Sequence, residues 1–475
     1  MTQIQLPKLI KVDSNKVKKK KILLLSDDLR MHSGIATVSR EIVLNTVKEY
    51  DWVQLGAALK HPDQGKCLDL SQDIAKQTGV ADASVKVYCN SGYGDPNILR
   101  ELIQIERPDA ILHFTDPRFW TWLYGMEHEL RQSIPLMYYT IWDDTPYPKY
   151  NKPFYESCDL LMCISKQTHN IVKQVLKDCN YKDWQITYLP HGINHTQFYP
   201  IDQNHNEWID FTQFKESIIP KEKTFVAFYN SRNIRRKHTS DLILAYKVFC
   251  DKLSKQDSDK CILLLHTDPI DENGTDLVAV INELCPMYNV SFTNKRLLTT
   301  KELNYLYNAV DVTVNIASNE GFGLGTAESV MAGTPIVVNV TGGLQDQCGF
   351  KKNTKEFLMA DDYTDAFQTN AEGKYQLHGE WVNPVFPAVR TLQGSVPTPY
   401  IFDDIVDYKE CAEAIYYWWM MNDEDRAKAG LIGREHFMKP EIGLSAESMG
   451  NNFISNINTC LEKWQPRKRI ELVKI

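Results

Sequence analysis

Two acids in a glycine-rich segment carry the strongest chemical signal in the sequence. They are Glu320 and Glu328, within NEGFGLGTAESVMAGTPIVV, Asn319 to Val338. Glu320 falls just after an apolar run, in a loop holding Gly321, Gly323 and Gly325. Glu328 falls about one turn into the helix that the following residues predict. Glycines let backbone amides come close to a ligand. A helix N-terminus adds partial positive charge that suits a phosphate. Carboxylates do not suit the phosphate; they suit hydroxyl groups, which donate hydrogen bonds to them. The segment therefore points to a ligand that carries both. A glycine-rich turn with a helix-capping Glu is the plainer reading of the same letters.

Other candidates are more scattered. HFTDPRFW, His113 to Trp120, is a loop after a strand in which His113 or Asp116 could face a second substrate. A lone His at a strand end is more often structural. Phe119, Trp120, Trp122, Tyr124, Trp142 and Tyr147 could stack on a flat ligand face, although core packing is the default for most of them. Basic residues cluster at Lys16 to Lys21 and at Arg235 to His238. Either cluster could touch phosphate, and a solvated charge run is the commoner explanation.

The elements that must position these residues alternate. KILLLS (Lys21 to Ser26) is a short apolar run of the kind buried on both faces of a sheet. A loop with Ser33 and Gly34 follows, then IATVSREIVLNTV with apolar residues at helical spacing. Further strands are expected at Asp109 to Phe114, Ile134 to Trp142, Asp159 to Ser165 and Ile186 onward, with a helix at Lys166 to Leu176. A second series opens at TFVAFYNS (Thr224 to Ser231). It continues through strands at Cys261 to His266, Asn289 to Phe292, Asp311 to Ala317 and Thr334 to Val340. Asp361 to Pro399 shows no period and reads as an irregular insertion. A helix bearing YYWWMM (Tyr416 to Met421) follows, its aromatics covering the sheet.

Two such series in 475 residues imply two doubly wound α/β domains. Ligands then bind at the carboxyl ends of strands, in the cleft between the domains. The expected divisions are a basic tail over 1–20 and a first domain over 21–199. A linker over 200–223, a second domain over 224–440 and a C-terminal helix over 441–475 that packs back on the first domain complete the chain.

Composition weighs against some classes. A net charge of -8 gives no global field for nucleic acid. The 11 cysteines are odd in number, lack a Cys-x-x-Cys pair and often sit in apolar runs, which fits reduced thiols. Neither a signal-type segment nor a membrane-length apolar run is present, so a cytoplasmic protein is expected, peripheral at a membrane at most or acting inside a virus-infected cell.

The set of motifs resembles the retaining GT-B glycosyltransferases of family 4. EGFGLGTAE followed by AGTPIV matches the family's donor-binding signature. SRNIRRKH supplies an arginine, Arg232, and a lysine five positions on, Lys237, where the family has G-R-x-x-x-x-K-G. Both glycines of that pattern are replaced, by Ser231 and His238. PHGIN (Pro190 to Asn194) and the pair Gly342–Gly343 also match, and the likeness spans roughly residues 20 to 440.

The resemblance implies a GT-B architecture and transfer of a sugar from a UDP- or GDP-sugar to a hydroxyl, with retention of anomeric configuration. Arg232 and Lys237 would neutralise the diphosphate, which is also the leaving group, so that no metal is required. Glu320 would bind hydroxyls of the transferred sugar, and Glu328 the ribose. Gly321, Phe322, Gly323 and Leu324 would line the donor site, with backbone near Arg296 to Leu298 at the base. Gly34 lies in the loop that approaches phosphate and acceptor. Many relatives carry a histidine where this chain reads YYTIWDD, leaving Trp142 and Asp143 on the acceptor side. The acid pairs Asp27–Asp28 and Asp143–Asp144 lack the context of a metal-binding DxD. The acceptor is a glycan, a lipid-linked sugar or a small molecule. Transfer to a modified DNA base and a sugar-binding protein without turnover are the alternatives.

Overall fold

The computed structural model describes residues 18–293 and 297–468. The first 17 residues, with Lys16 of the basic cluster, lie outside the described residues, as does Arg296.

The first sheet has eight strands: β1 (Lys20–Asp27), β2 (Tyr50–Ala58), β3 (Cys67–Asp69), β4 (Val85–Ser91), β5 (Ala110–Phe114), β6 (Leu136–Thr140), β7 (Leu160–Cys163) and β8 (Ile186–Tyr188). Their order is β3-β4-β2-β1-β5-β6-β7-β8. All pairings are parallel except β3 with β4. Ile22, Leu23, Leu24 and Leu25 of β1 have no exposed surface, because helices cover both faces of the strand.

β2 and β4 carry no expectation from the sequence. In β2 the apolar run is broken by Gln54 and Gly56. Gln54 is nonetheless buried, donating from Nε2 to the Ser26 hydroxyl and the Asp27 carbonyl, both at 2.8 Å. A polar residue inside a strand hides its period when its hydrogen bonds are satisfied by the neighbouring strand.

The second sheet runs β11-β10-β9-β12-β13-β14 and is parallel throughout. Its strands are β9 (Phe225–Asn230), β10 (Cys261–His266), β11 (Val290–Phe292), β12 (Val312–Asn315), β13 (Ile336–Asn339) and β14 (Val382–Val385). A hairpin, β15 (Val389–Ser395) with β16 (Thr398–Ile405), follows β14. The stretch 361–399 therefore holds a sheet strand and half a hairpin, too short and too mixed in polarity to show a period. The helix Tyr408–Met420 buries Trp418 fully against this sheet.

Within 200–223 the structure forms a helix, Trp208–Ile218, whose Phe211 packs against Tyr305. No helix among the described residues is long and apolar enough to cross a membrane.

The chain passes between the sheets twice, and the two passages touch. The Ile193 amide donates to the Leu444 carbonyl at 2.9 Å, and the Ala446 amide donates to Ile193 at 3.0 Å. A Cβ on Gly192 would lie 2.6 Å from the Ala446 Cα, so only glycine lets the strands meet this closely. Beyond the second passage, the helix Ala446–Lys463 returns to the first sheet, placing Met449, Phe453, Ile457 and Cys460 in its core.

In each sheet the strand order reverses at one point, between β1 and β5 and between β9 and β12. Loops leaving adjacent strands on either side of such a point diverge and open a crevice. The second point gives rise to the loops that begin at Asn230 and at Asn315.

Candidate functional site

Two loops from that point meet. After β9, residues Arg235–Lys237 form a single 3-10 turn before the helix Thr239–Asp251. His238, between turn and helix, has φ 52°, the left-handed conformation for which a glycine is the usual residue. Histidine is among the side chains that tolerate it, and its Nδ1 lies 2.7 Å from Asp241 Oδ2. A histidine therefore holds a backbone conformation that a glycine would adopt without strain.

The turn sends Lys237 Nζ onto Glu320 Oε2 as a close ion pair. Arg236 NH1 lies 3.8 Å from the same oxygen and donates to the Asn319 carbonyl. The Ser318 amide donates to the Arg236 carbonyl at 2.8 Å, which binds the loops together. Lys237 and Glu320 are nearly buried, with side chains 8% and 12% exposed, whereas Arg236 is 42% exposed. Burial opposes the charge on Glu320, yet Lys237 and Arg236 hold its carboxyl below the ordinary glutamate value.

Arg232 is placed elsewhere. Its Nε donates to Asp271 Oδ2 at 2.8 Å and its side chain is 62% exposed. Glu320's ion-pair partners among the described residues are Lys237 and Arg236.

Glycines shape the acidic loop. A Cβ on Gly343 would lie 2.7 Å from the Phe322 Cα, and the Gly343 amide donates to the Glu320 carbonyl at 2.8 Å. Gly323, at φ 89°, starts the helix Leu324–Met331. Glu328, inside that helix, is buried and accepts from the Tyr307 hydroxyl at 2.8 Å. Tyr307 in turn accepts from Asn230 Nδ2 at the end of β9, at 2.7 Å. Burial pushes the Glu328 carboxyl up to about 7. Leu298 is half-buried beside the same core.

The first domain closes on this loop. A Cβ on Gly34 would lie 3.4 Å from Leu324, and one on Gly321 would lie 3.0 Å from Ile164. Phe322 is buried against His191, with ring centroids 5.0 Å apart. Asp143 and Asp144 follow β6, and Asn319 Nδ2 donates to Asp144. Burial raises the Asp143 carboxyl, with Arg236 opposing and Glu320 adding to the shift. Burial and Asp143 raise Asp144 further. Lys237, Arg236, Glu320 and Asp143 thus form one cluster spanning both domains.

Of the other first-domain candidates, His113 and Asp116 make their contacts within the first domain, and Trp142 borders the cluster. His113 is fully buried, with Nδ1 2.7 Å from the Tyr124 hydroxyl and its ring stacked on Tyr138. Burial holds its pKa down at about 3, so it is a neutral core residue. Asp116 caps the turn Pro117–Trp120 and pairs with Arg118. Trp142 donates from Nε1 to the Asp144 carbonyl at 2.7 Å.

Asp28, His61 and Cys89 bring ligand-type atoms within 4.8 Å of one another. A guanidinium already serves this group: Arg30 NH2 lies 2.7 Å from Asp28 and 3.2 Å from Cys89.

Arg236, Asn319 and Tyr307 are the residues that reading the sequence missed. Arg236 was visible as part of a basic run, but nothing in the letters says which cation of three faces the acid.

No protein-family model and no curated protein matches the sequence. Solved structures do match its fold. HepE of Anabaena, in complex with UDP and glucose, is similar over 93% of this chain and 100% of its own, with TM-score 0.61 and 13% identity. Sucrose-phosphate synthase of Thermosynechococcus elongatus is similar over 94% and 100%, with TM-score 0.64 and 14% identity. The E. coli trehalose-6-phosphate protein bound with UDP-2-fluoro glucose is similar over 94% and 100%, with TM-score 0.59 and 12% identity. The chain has the GT-B fold, two Rossmann-like parallel-sheet domains, as the sequence leads one to expect.

Proposed function

We propose that the protein is a retaining glycosyltransferase that moves a sugar from a nucleotide-diphosphate sugar to a hydroxyl acceptor. The observation that carries this reading is the cluster at the second sheet's reversal point, where Lys237 and Arg236 converge on Glu320. Solved structures of the same fold that hold UDP or a UDP-sugar support the donor class.

The chemistry follows from the charges. The bond from the sugar's anomeric carbon to the β-phosphate oxygen breaks, and negative charge develops on that oxygen. Lys237 and the start of the helix Leu324–Met331 stabilise it where it develops. The acceptor hydroxyl forms its bond to the same carbon on the face the phosphate leaves. Its proton passes to the departing phosphate, so the products are a glycoside and a nucleoside diphosphate. Glu320 accepts hydrogen bonds from the sugar's hydroxyls, Glu328 from those of the ribose, and backbone near Leu298 meets the base. Asp143 faces this point from the first domain, on the acceptor side. Fixed cations supply the positive charge, so no metal is required.

The test is a screen of UDP- and GDP-sugars for slow hydrolysis, with thermal shift as a parallel measure of binding. One donor should raise the melting temperature and be hydrolysed with the released sugar retaining its configuration, in chelator as well as without. Glu320→Gln should lower turnover at least ~100-fold while nucleotide binding persists. A protein that neither binds nor hydrolyses any of these sugars would overturn the reading.

A further inference from the structure

Resting on that reading, we infer that Arg236, rather than Arg232, supplies the second cation to the donor's diphosphate. Resemblance alone assigns the role to Arg232, and the geometry points four residues further on.

Arg232 is held away by its own loop. Its guanidinium pairs with Asp271 through two nitrogens, at 2.8 and 3.4 Å. That acid sits on a segment fastened to the turn: the Arg235 amide donates to the Asn273 carbonyl at 3.0 Å, and Asn233 Nδ2 donates to Thr275 at 2.7 Å. A Cβ on Gly274 would fall 2.7 Å from the Asn233 carbonyl carbon, so the two loops touch backbone to backbone.

Arg236 stands in the cluster. Its NH1 serves the Asn319 carbonyl and Glu320. Its Nε and NH2 have no protein partner among the described residues, and the side chain is 42% exposed. A guanidinium has five donors and a fork that matches phosphate oxygens. One edge is therefore fixed by the acidic loop, and the Nε and NH2 donors are left for a ligand. Lys237, 8% exposed and already paired with Glu320, supplies the first charge but has no comparable open edge. Fixing one edge also orients the other before ligand arrives, which is what stabilisation of a leaving group requires.

Affinities for UDP and GDP, compared with UMP and GMP, test the assignment, because only the diphosphates present a β-phosphate. Arg236→Ala should weaken the accepted diphosphate at least ~10-fold, change the monophosphate less than about twofold and lower kcat ~100-fold. Monophosphate binding doubles as the check that the variant is folded. Arg236→Lys should recover part of the loss, since a point charge replaces the fork. Arg232→Ala should stay within about threefold of wild type on all counts. If Arg232→Ala loses diphosphate affinity and Arg236→Ala does not, this inference fails while the enzyme reading stands. If wild-type protein binds no nucleotide, both fail together.

Discussion

Glu328 is the residue whose surroundings make the sharpest claim. Its folded value near 7 lies above the ordinary 4.5, and burial is the cause. An acid shifted this way favours the protein while it is protonated. The contribution is fully present below pH 4.5, fades as pH rises and is gone above about 7. The shift corresponds to about 3 kcal/mol of stability. Ligand binding runs the other way, because ribose hydroxyls need a carboxylate to accept from them. Nucleotide affinity should thus climb with pH up to about 7 and then level off, while the free protein loses stability over the same window. Titration calorimetry and urea melts at several pH values check both slopes. Glu328→Gln should flatten both. His238 is a second case. It holds a left-handed backbone at φ 52°. His238→Gly should leave stability within about 1 kcal/mol, the relief of strain offsetting a looser unfolded chain. His238→Val should cost about 2 kcal/mol or more in urea denaturation, because a branched side chain resists that region.

At the scale of elements, close contacts at glycines divide by purpose. Gly343 lies against the loop that carries Glu320, and a Cβ there would meet the Phe322 Cα at 2.7 Å. Gly433 lies against Trp381, where a Cβ would meet the Trp381 Cγ at 2.5 Å. Gly343→Ala should displace Glu320 and lower kcat ~100-fold, as small misplacements of reacting groups do. Gly433→Ala should instead cost about 1–3 kcal/mol of stability and leave nucleotide affinity unchanged. Thermal shift with and without donor separates the two outcomes. Elements also explain what could be read in the letters. β1 and β10 are unbroken apolar runs, buried on both faces, and announce themselves. β2 hides behind Gln54, and β14 is a four-residue strand containing Pro384. The acidic loop was legible because its glycines and acids share a short segment. Arg236 was not, because the direction of a side chain in a 3-10 turn depends on contacts with Ser318 and Asn319, which are 82 and 83 residues away.

Across the whole molecule, closure is written in polar contacts as well as in packing. Asp346 of the second domain accepts from the Lys166 amide and from the Tyr188 hydroxyl, both at 3.0 Å. Gln345 Nε2 donates to Gln167 Oε1 at 2.8 Å. These contacts hold the faces together across the first domain's β7 and β8 side, beside the Glu320 cluster.

The paired passage at Ile193 and Leu444 makes the second domain an insert, whose entrance and exit share a pair of hydrogen bonds. Cutting there leaves two ends already side by side, so folding the excised piece requires no long loop to close. A chain spanning 194–443 is expected to melt cooperatively and to bind nucleoside diphosphate by itself, since Lys237, Arg236, Glu320 and Glu328 all travel with it. The same adjacency means that the remaining half could be rejoined by a short bridge. An unfolded excised piece would show that the insert leans on its host for more than position.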